Sequence, residues 1–402
     1  MRVSTQWLYQ SGLNGILGQQ SNLNQTQLQL TTGRRINNPS DDPVGAARLQ
    51  ELERSVKQQE VFQKNIDRGR QRMGVAEQAL SSTGNTVQRA RELAVQAAND
   101  TLGSDQRAMV AAELRQRVEE MLLTANSQDG GGEYIFAGSR TGDKPFVREN
   151  GEVVYRGDSQ ARELVIGPGT TAAESLTGDQ AYMRIRDGNG IVRAEPGAGN
   201  TGSGVVQVGQ QVDQAVYDGG TYTLQFAGPD PDDWQVVDSD TPPNVVATGT
   251  FEPDSVIAFQ GVEITIGGQP EIGDEFVVEP ARNTSIFATV ENLAAALEQA
   301  PANDSERAAQ RQTIDDTLAQ FDRFENQLLT LRADLGARMN TFDDVEESHS
   351  EVKLSLETLV SEVRDLDYAE AISRFQFQQT ALQAAQQSFM RVQQLNLFNF
   401  MG

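Results

Sequence analysis

A seven-residue repeat of apolar side chains near the end of the chain is the strongest structural constraint in this sequence. One frame holds an aromatic or aliphatic residue at almost every seventh position between Ile314 and Val363, with His349 as the exception. The repeat comprises Ile314, Phe321, Leu328, Leu335, Phe342, His349, Leu356 and Val363. It places these side chains along one face of a long helix, which is typical of a coiled-coil seam.

A second seam with its own frame lies nearer the start of the chain, where Gln59 interrupts it. Its apolar positions are Leu52, Ile66, Met73, Leu80, Val87 and Ala94. We predict that two long helices pack along these seams as a rod. The predicted rod core is Leu52, Ile66, Met73, Leu80, Val87, Ile314, Phe321, Leu328, Leu335, Phe342, Leu356 and Val363.

The segment between the two seams has a different character. Two helices are predicted, one from Pro43 to about Ala98 and one from Ser104 to the glycines that follow Asp129, because Asp42-Pro43 and Ser104-Asp105 are helix-start signals. Short β-type runs such as VVQVG, TYTLQF and EFVVEP then alternate with Gly, Pro and Asp turns as far as Pro280. The predicted fold class is therefore α+β multidomain, with a coiled-coil rod built from both chain ends and an inserted, mainly antiparallel β domain.

The first forty and last thirty-six residues are rich in Gln and carry thin apolar stripes. A private helical hairpin and a surface for other subunits are both possible roles, and we favour assembly because Gln leaves too little apolar burial to offset the ordering of the chain. The predicted assembly interface is Leu13, Ile16, Leu23, Leu30, Phe375, Leu382, Phe389, Val392, Leu395 and Phe398.

These patterns divide the chain into three predicted domains. Residues 1–42 and 365–402 form a terminal helical assembly domain that is disordered in the monomer. Residues 43–165 and 281–364 form the rod with a small β-hairpin region. Residues 166–280 form the inserted β domain, which is expected to lie outermost.

Charge and composition exclude several classes of protein. The chain of 402 residues has 57 acidic and 33 basic side chains, so its net charge of -24 disfavours binding to a phosphate backbone. No run of about 18 apolar residues indicates a membrane span, and the first residues lack the apolar core of a cleavable signal peptide. Cysteine is absent, which removes disulfides and thiolate ligands.

Candidate catalytic and metal-binding residues are few. His349 is the only histidine, and its place in the heptad frame favours a polar seam position over a catalytic base. The acidic stretch from Asp230 to Asp233 lacks the spacing of a calcium-binding loop, and the glycines form no phosphate-binding pattern. The sequence predicts no enzyme activity, no cofactor and no metal site.

Four motifs together resemble a known family. TTGRRINNPSDDPVGAARL at residues 31–49 and LNLFNFMG at 395–402 are similar to the segments that enter and leave the rod helices of bacterial flagellins. The opening MRVSTQWLYQ and GGGEYIFAGSRTGDKPFVRENGEVVYRGD at residues 130–158 resemble the hook-associated branch of the flagellin superfamily. The resemblance covers roughly residues 1–165 and 281–402.

The resemblance implies a structural subunit at the junction between flagellar hook and filament. Its expected partners are further copies of itself, another hook-associated protein on the hook side, flagellin on the filament side and a cytoplasmic export chaperone at the C-terminal helix. Export through the flagellar type III apparatus, without a cleaved signal, would place it outside the cell. The alternatives are a filament flagellin and, from a different class, a secreted carbohydrate-binding or hydrolytic protein.

Overall fold

The structure, a computed structural model, describes residues 5–99, 101–228, 230 and 232–398. Long helices occupy both ends of the chain and strands occupy its middle, which confirms the predicted fold class. The helices are α1 (Thr5–Thr32), α2 (Pro43–Ala97), α3 (Ser104–Ala125), α4 (Ile286–Glu298), α5 (Asp304–Arg364) and α6 (Tyr368–Phe398). The strands are β1 (Phe146–Glu149), β2 (Glu152–Tyr155), β3 (Glu163–Gly167), β4 (Thr170–Ala173), β5 (Ile185–Arg186), β6 (Val192–Pro196), β7 (Val205–Val212), β8 (Tyr222–Gln225), β9 (Asp233–Asp238), β10 (Val245–Thr250), β11 (Val256–Phe259), β12 (Val262–Gly267), β13 (Glu275–Pro280) and β14 (Asn283–Thr284).

Side chains at the helix starts explain where the helices begin. The Asp42 carboxylate accepts a hydrogen bond from the backbone N–H of Gly45 at 2.9 Å, so it caps α2 ahead of Pro43. Ser285 caps α4 in the same way through the N–H of Ala288. These caps satisfy donors that would otherwise lack partners at the first turn of each helix.

The described residues fall into two compact units. Unit 1 contains the described residues up to Lys64 and from Asp344 onward, and unit 2 contains Asn65–Asp343. The predicted domain limits lie elsewhere, since residue 42 directly precedes α2 and residue 364 is the last residue of α5. The predicted division into domains therefore stays a prediction.

In unit 2, α2 and α5 run antiparallel and their seams are fully buried. The carboxylate of Glu77 pairs with Arg332 at 2.6 Å, and Arg91 pairs with Asp322 at 3.0 Å. The helices α3 and α4 pack against each other, and hydrogen bonds join each of them to α5. The predicted core residues that are buried in this unit are Ile66, Met73, Leu80, Val87, Ile314, Phe321, Leu328, Leu335 and Phe342.

The same two helices also pair in unit 1, but their seam is only partly covered there. The rings of Phe62 and His349 stack with centroids 5.4 Å apart, so the lone histidine is a buried seam residue. The amide of Gln63 donates to Glu346 at 2.6 Å. The predicted core residues Leu52, Leu356 and Val363 are half-buried in this unit.

Eight strands of unit 2 form two antiparallel sheets around one core, and the other six form two-stranded pairs. The larger sheet has the order β10-β9-β8-β13-β6 and the smaller has the order β11-β12-β7. Both sheets contribute to the shared core, which includes Tyr222, Leu224, Phe276, Val278, Ile257, Phe259, Ile264 and Ile266. We call these eight strands the β sandwich. The predicted domain start at residue 166 lies within β3. The β3–β4 hairpin is not part of the sandwich core, whose first buried residue is Val192.

Candidate assembly interface

The segment between α1 and α2 forms a sharp joint in unit 1. Gly33 has a φ of 68°, a left-handed conformation that glycine adopts without steric cost, and its N–H donates to the carbonyl of Gln29 at 2.9 Å. The N–H groups of Asn37 and Asn38 both donate to one oxygen of Asp41, which fixes the turn before α2. The motif NNPSDDP therefore has a local structural explanation.

This joint is bonded to the turn between α5 and α6. The N–H of Arg35 donates to the carbonyl of Arg364 at 2.7 Å, and the N–H of Leu366 donates to the carbonyl of Gly33 at 3.0 Å. The guanidinium of Arg35 also donates to the carbonyl of Val363. These bonds hold the C-terminal end of α1 beside the N-terminal end of α6.

Beyond the joint, α1 and α6 pack antiparallel. The guanidinium of Arg374 donates to Gln29 at 3.2 Å, while the rings of Tyr9 and Phe389 lie 5.3 Å apart near the far ends of the helices. A Cβ on Gly12 would lie 2.9 Å from a ring carbon of Phe389, so the absence of a side chain at this position permits the close approach.

This pairing explains the position of most predicted interface residues. Those half-buried on the paired helices are Ile16, Leu23, Leu30, Phe375, Leu382 and Phe389. Leu13 is exposed. The side chains of Val392, Leu395 and Phe398 lie outside the described residues. The predicted interface residues are thus partly buried by contacts within the chain. Their role in assembly stays a prediction. The disorder of both terminal segments in the monomer also stays a prediction.

Sequence reasoning missed a second group of apolar residues on the same two helices. Its members are exposed to between 45% and 74% of their surface, and Phe377 is the most exposed. We call it the exposed apolar set: Trp7, Leu17, Leu28, Ile372, Phe377 and Met390. Leu17 and Leu28 are eleven residues apart and Ile372 and Met390 eighteen, so the members of each pair share nearly the same helix face. These residues lie outside the seven-residue frames that define the predicted interface, so the sequence pattern did not single them out.

The motif at residues 130–158 has a structural role in unit 2, and its first part closes a buried ion cluster. Arg72 is 1% exposed and its guanidinium contacts Asp129 at 2.5 Å and Glu133 at 2.9 Å. The fully buried Glu174 lies 3.6 Å from Arg72 and 3.0 Å from Arg162. Burial raises the pKa of Asp129, but the N–H groups of Glu133 and Gly131 and the charge of Arg72 together hold that pKa below its usual value.

The second part of the motif forms an aromatic cluster. Phe146 contacts the rings of Tyr155, Tyr182 and Phe287 at centroid distances between 5.1 and 5.5 Å. Burial raises the pKa of Tyr155 to about 12. Its hydroxyl oxygen lies 2.9 Å from the carbonyl oxygen of Phe136 and 2.7 Å from that of Asp158, and either carbonyl can accept its proton. These buried contacts indicate that the motif stabilises the fold.

Two other kinds of site, metal centres and membrane spans, are absent from the described residues. Among them, no group of three or more His, Asp or Glu side chains could hold a metal ion. None of the described helices is long and apolar enough to cross a membrane. The candidate site is therefore the pair of terminal helices, where the exposed apolar set leaves large apolar side chains in contact with water.

Comparison with known proteins agrees with this arrangement. Residues 3–141 match the family described as bacterial flagellin N-terminal helical region, and residues 318–401 match bacterial flagellin C-terminal helical region. The flagellar hook-associated protein 3 of Escherichia coli K12 is 28% identical over 402 residues, covering 99% of each chain. A flagellin of Salmonella paratyphi A is 30% identical over 142 residues, which is 34% of this chain and 29% of that protein.

A solved structure extends the similarity to the fold. The crystal structure of FlgL from Xanthomonas campestris is 31% identical, with a TM-score of 0.72, over 77% of this chain and 99% of that one. The match to flagellin covers a third of this chain, whereas the match to hook-associated protein 3 covers nearly all of it, including the inserted β region.

Proposed function

This chain belongs to the bacterial flagellin superfamily, in the group of hook-associated protein 3, and from this membership we propose that it is the structural subunit that joins the flagellar hook to the filament. It is a flagellar component of a structural family. The observation that supports the junction role over filament flagellin is the similarity along the whole chain to hook-associated protein 3. Shared terminal helices alone would not distinguish the two.

The exposed apolar set gives the proposed assembly a driving force. Burying a Leu, Ile, Phe or Met side chain contributes about 1.5–3 kcal/mol, and all members of the exposed apolar set except Trp7 are of these types. Their exposure to water on two neighbouring helices favours contact with other subunits. Identical subunits that repeat by rotation and rise contact each other through different surfaces, which suits a set spread over several helix faces. In this proposal the terminal helices pack with those of neighbouring copies.

The same surface supports the proposed partners. Copies of this chain would bind one another laterally, another hook-associated protein would bind on the hook side, and flagellin would bind on the filament side. Before export, a cytoplasmic chaperone would cover the apolar residues of α6 by holding the helix in a groove. Export through the flagellar type III apparatus would then place the chain outside the cell.

The direct test is electron microscopy of cells that lack this chain, with an assay for flagellin in the medium. We expect hooks without filaments and flagellin released as monomers. Restoring the gene should restore the filaments. Normal filaments in its absence would overturn the junction role, and an abundant band of this chain in sheared filaments would indicate a filament flagellin instead.

The first prediction concerns the surface itself. Phe377→Asp should leave the helices formed but reduce filament retention at least about tenfold, because a carboxylate replaces an apolar side chain at the subunit contact. Filaments counted per cell, with circular dichroism of the purified chain, would measure both effects.

Leu329→Asp is the matched control, since Leu329 is 61% exposed on α5 and lies outside the terminal helices. This variant should keep its filaments. Equal filament loss in both variants would indicate a general defect, and full retention in Phe377→Asp would contradict the proposed surface. Phe389 is a poorer choice because its ring already packs against Tyr9 within the chain.

A further inference from the structure

A polar cleft of about 620 Å³ lies in unit 2 where α5 packs against the β sandwich. One wall is the stretch of α5 from Asp315 to Asn326, and the other is formed by β6, β7 and the turn before β6. Acidic side chains outnumber basic ones along its lining. The carboxylates are Asp187, Glu195, Asp315, Asp316 and Asp322, and the guanidinium groups are Arg193 and Arg323.

One side chain of α5 joins the β sandwich at this cleft through two hydrogen bonds. The amide oxygen of Gln312 accepts from the backbone N–H of Val206 in β7, and its amide nitrogen donates to the carbonyl of the same residue, both at 2.8 Å. Gln312 and Val206 are buried, so these bonds are shielded from water. The side chain of Gln312 thus pairs with β7 as a neighbouring strand would.

The Gln312 amide is bonded to a carboxylate as well. Its nitrogen donates to an oxygen of Asp316, one turn further along α5, at 3.0 Å. The charge of Asp316 is therefore connected to the contact with Val206 through a single amide group. The amide nitrogen of Gln312 donates both to Asp316 and to the carbonyl of Val206. A change in the charge of Asp316 therefore acts on the same amide group that holds Val206.

The surroundings of Asp316 disfavour its ionised form. Asp315 on α5, Glu195 on β6 and Asp187 in the preceding turn all place negative charge near it. Arg193 is engaged by Asp187, Glu195 and Glu279, which leaves it little capacity to compensate. The remaining cations are Arg323, which lines the cleft, and Arg311, which acts on Asp315.

Burial and these neighbours act in the same direction on the titration. Burial raises the pKa of Asp316 to about 6, the hydrogen bond from Gln312 opposes the rise, and Asp315, Glu195 and Asp187 add to it. Burial also raises the pKa of Asp315. Since the folded pKa of Asp316 lies above its unfolded value of 3.8, its contribution to stability is present at low pH and is lost as the pH rises through about 6.

We propose that Asp316 and its neighbouring carboxylates form a latch that holds the β sandwich against α5 more firmly in mildly acidic solution than at neutral pH. When Asp316 is protonated, the repulsion from Asp187, Glu195 and Asp315 falls and Gln312 stays bonded to Val206. When Asp316 is ionised, the contact opens more often. The latch is a property of unit 2 and does not depend on the proposed junction role.

Hydrogen exchange of the Val206 amide in the full-length chain tests the latch directly. The protection factor at this amide should rise about tenfold between pH 7.5 and pH 5, after correction for the intrinsic pH dependence of exchange. Carboxylates with lowered pKa values, such as Asp129 and Asp158, do not contribute in this interval because they titrate below their usual range. A protection factor that stays constant in the unmodified chain would overturn the proposal.

Asp316→Asn separates the charge from the shape of the side chain. Its amide oxygen can still accept from Gln312, so Val206 should be at least as protected at pH 7.5 as it is in the unmodified chain at pH 5. Most of the pH dependence should be lost, and the remainder comes from Asp315, whose pKa burial also raises. Asp344→Asn, at an exposed carboxylate on the same helix, should keep the full tenfold change. Unchanged pH dependence in Asp316→Asn, or its loss in Asp344→Asn, would contradict the assignment to Asp316.

Discussion

The aromatic core of unit 2 and the paired terminal helices of unit 1 differ in how completely they bury their apolar residues. Phe136, Phe146, Tyr182 and Phe287 have no exposed surface, and each takes part in ring contacts within the cluster. On α1 and α6 the heptad stripe is half-buried, and Phe377 is 74% exposed. Unit 2 completes its core within one chain, whereas the terminal helices leave apolar area for other molecules.

The same contrast occurs along α5 itself. Leu335 and Leu356 occupy the same heptad frame, yet Leu335 is 1% exposed in unit 2 and Leu356 is half-buried in unit 1. Elements of unit 2 other than α2 also contact α5: α3 is bonded to Gln310, α4 to Gln320, and the backbone of Gln180 to Gln327. A heptad repeat therefore identifies the face that is buried, and the number of neighbouring elements determines how completely it is buried.

The largest expected effect comes from breaking the ion cluster in unit 2. Arg72→Met should lower the free energy of unfolding by about 3–5 kcal/mol, because it leaves the buried carboxylate of Glu174 with one guanidinium partner fewer and removes one from Asp129. Urea unfolding of the purified chain would measure this loss. Arg307→Met, which removes an exposed ion pair with Asp304, should change the free energy of unfolding little. A similar decrease in both variants would show that the buried cluster stabilises the fold no more than an exposed pair does.

A medium effect is expected from a matched pair of substitutions on α5. Leu335→Ala should cost about 2–5 kcal/mol because it creates a cavity in a closed core. Leu356→Ala should cost about 1 kcal/mol in the monomer, since part of its surface already contacts water. Urea unfolding of both variants would compare the two units, and equal losses would contradict the difference in burial.

The smallest effect concerns the contact between α1 and α6. A Cβ at Gly15 would meet no atom within 4 Å, so Gly15→Ala should stabilise α1 by about 0.5–1 kcal/mol through helix propensity. Gly12→Ala gains the same propensity but places a Cβ 2.9 Å from Phe389, so its net gain should be smaller or negative. Far-ultraviolet circular dichroism would measure the helical content of both variants. An equal gain in both would indicate that α1 and α6 are not paired in solution.

The long helices and the region of strands could be predicted from local patterns. The seams of α2 and α5 repeat every seven residues. Asp42-Pro43 marks the start of α2, and the glycines near residue 130 follow the end of α3. The ion cluster could not be predicted in this way, because Arg72, Glu133 and Glu174 are far apart in sequence and charged residues are ordinarily exposed. The motif that contains Glu133 was recognisable only as a resemblance.

The sequence by itself determined which segments are helical, which face of each long helix is apolar and which family the chain resembles, because periodicity, capping and motifs are local properties. Only the tertiary structure decided how those faces are shared. It placed Ile16 and Phe389 in a partly buried pairing of α1 and α6, left Phe377 exposed and brought Asp316 among other carboxylates. Burial and electrostatic surroundings depend on neighbours that are distant in sequence, and no local pattern specifies them.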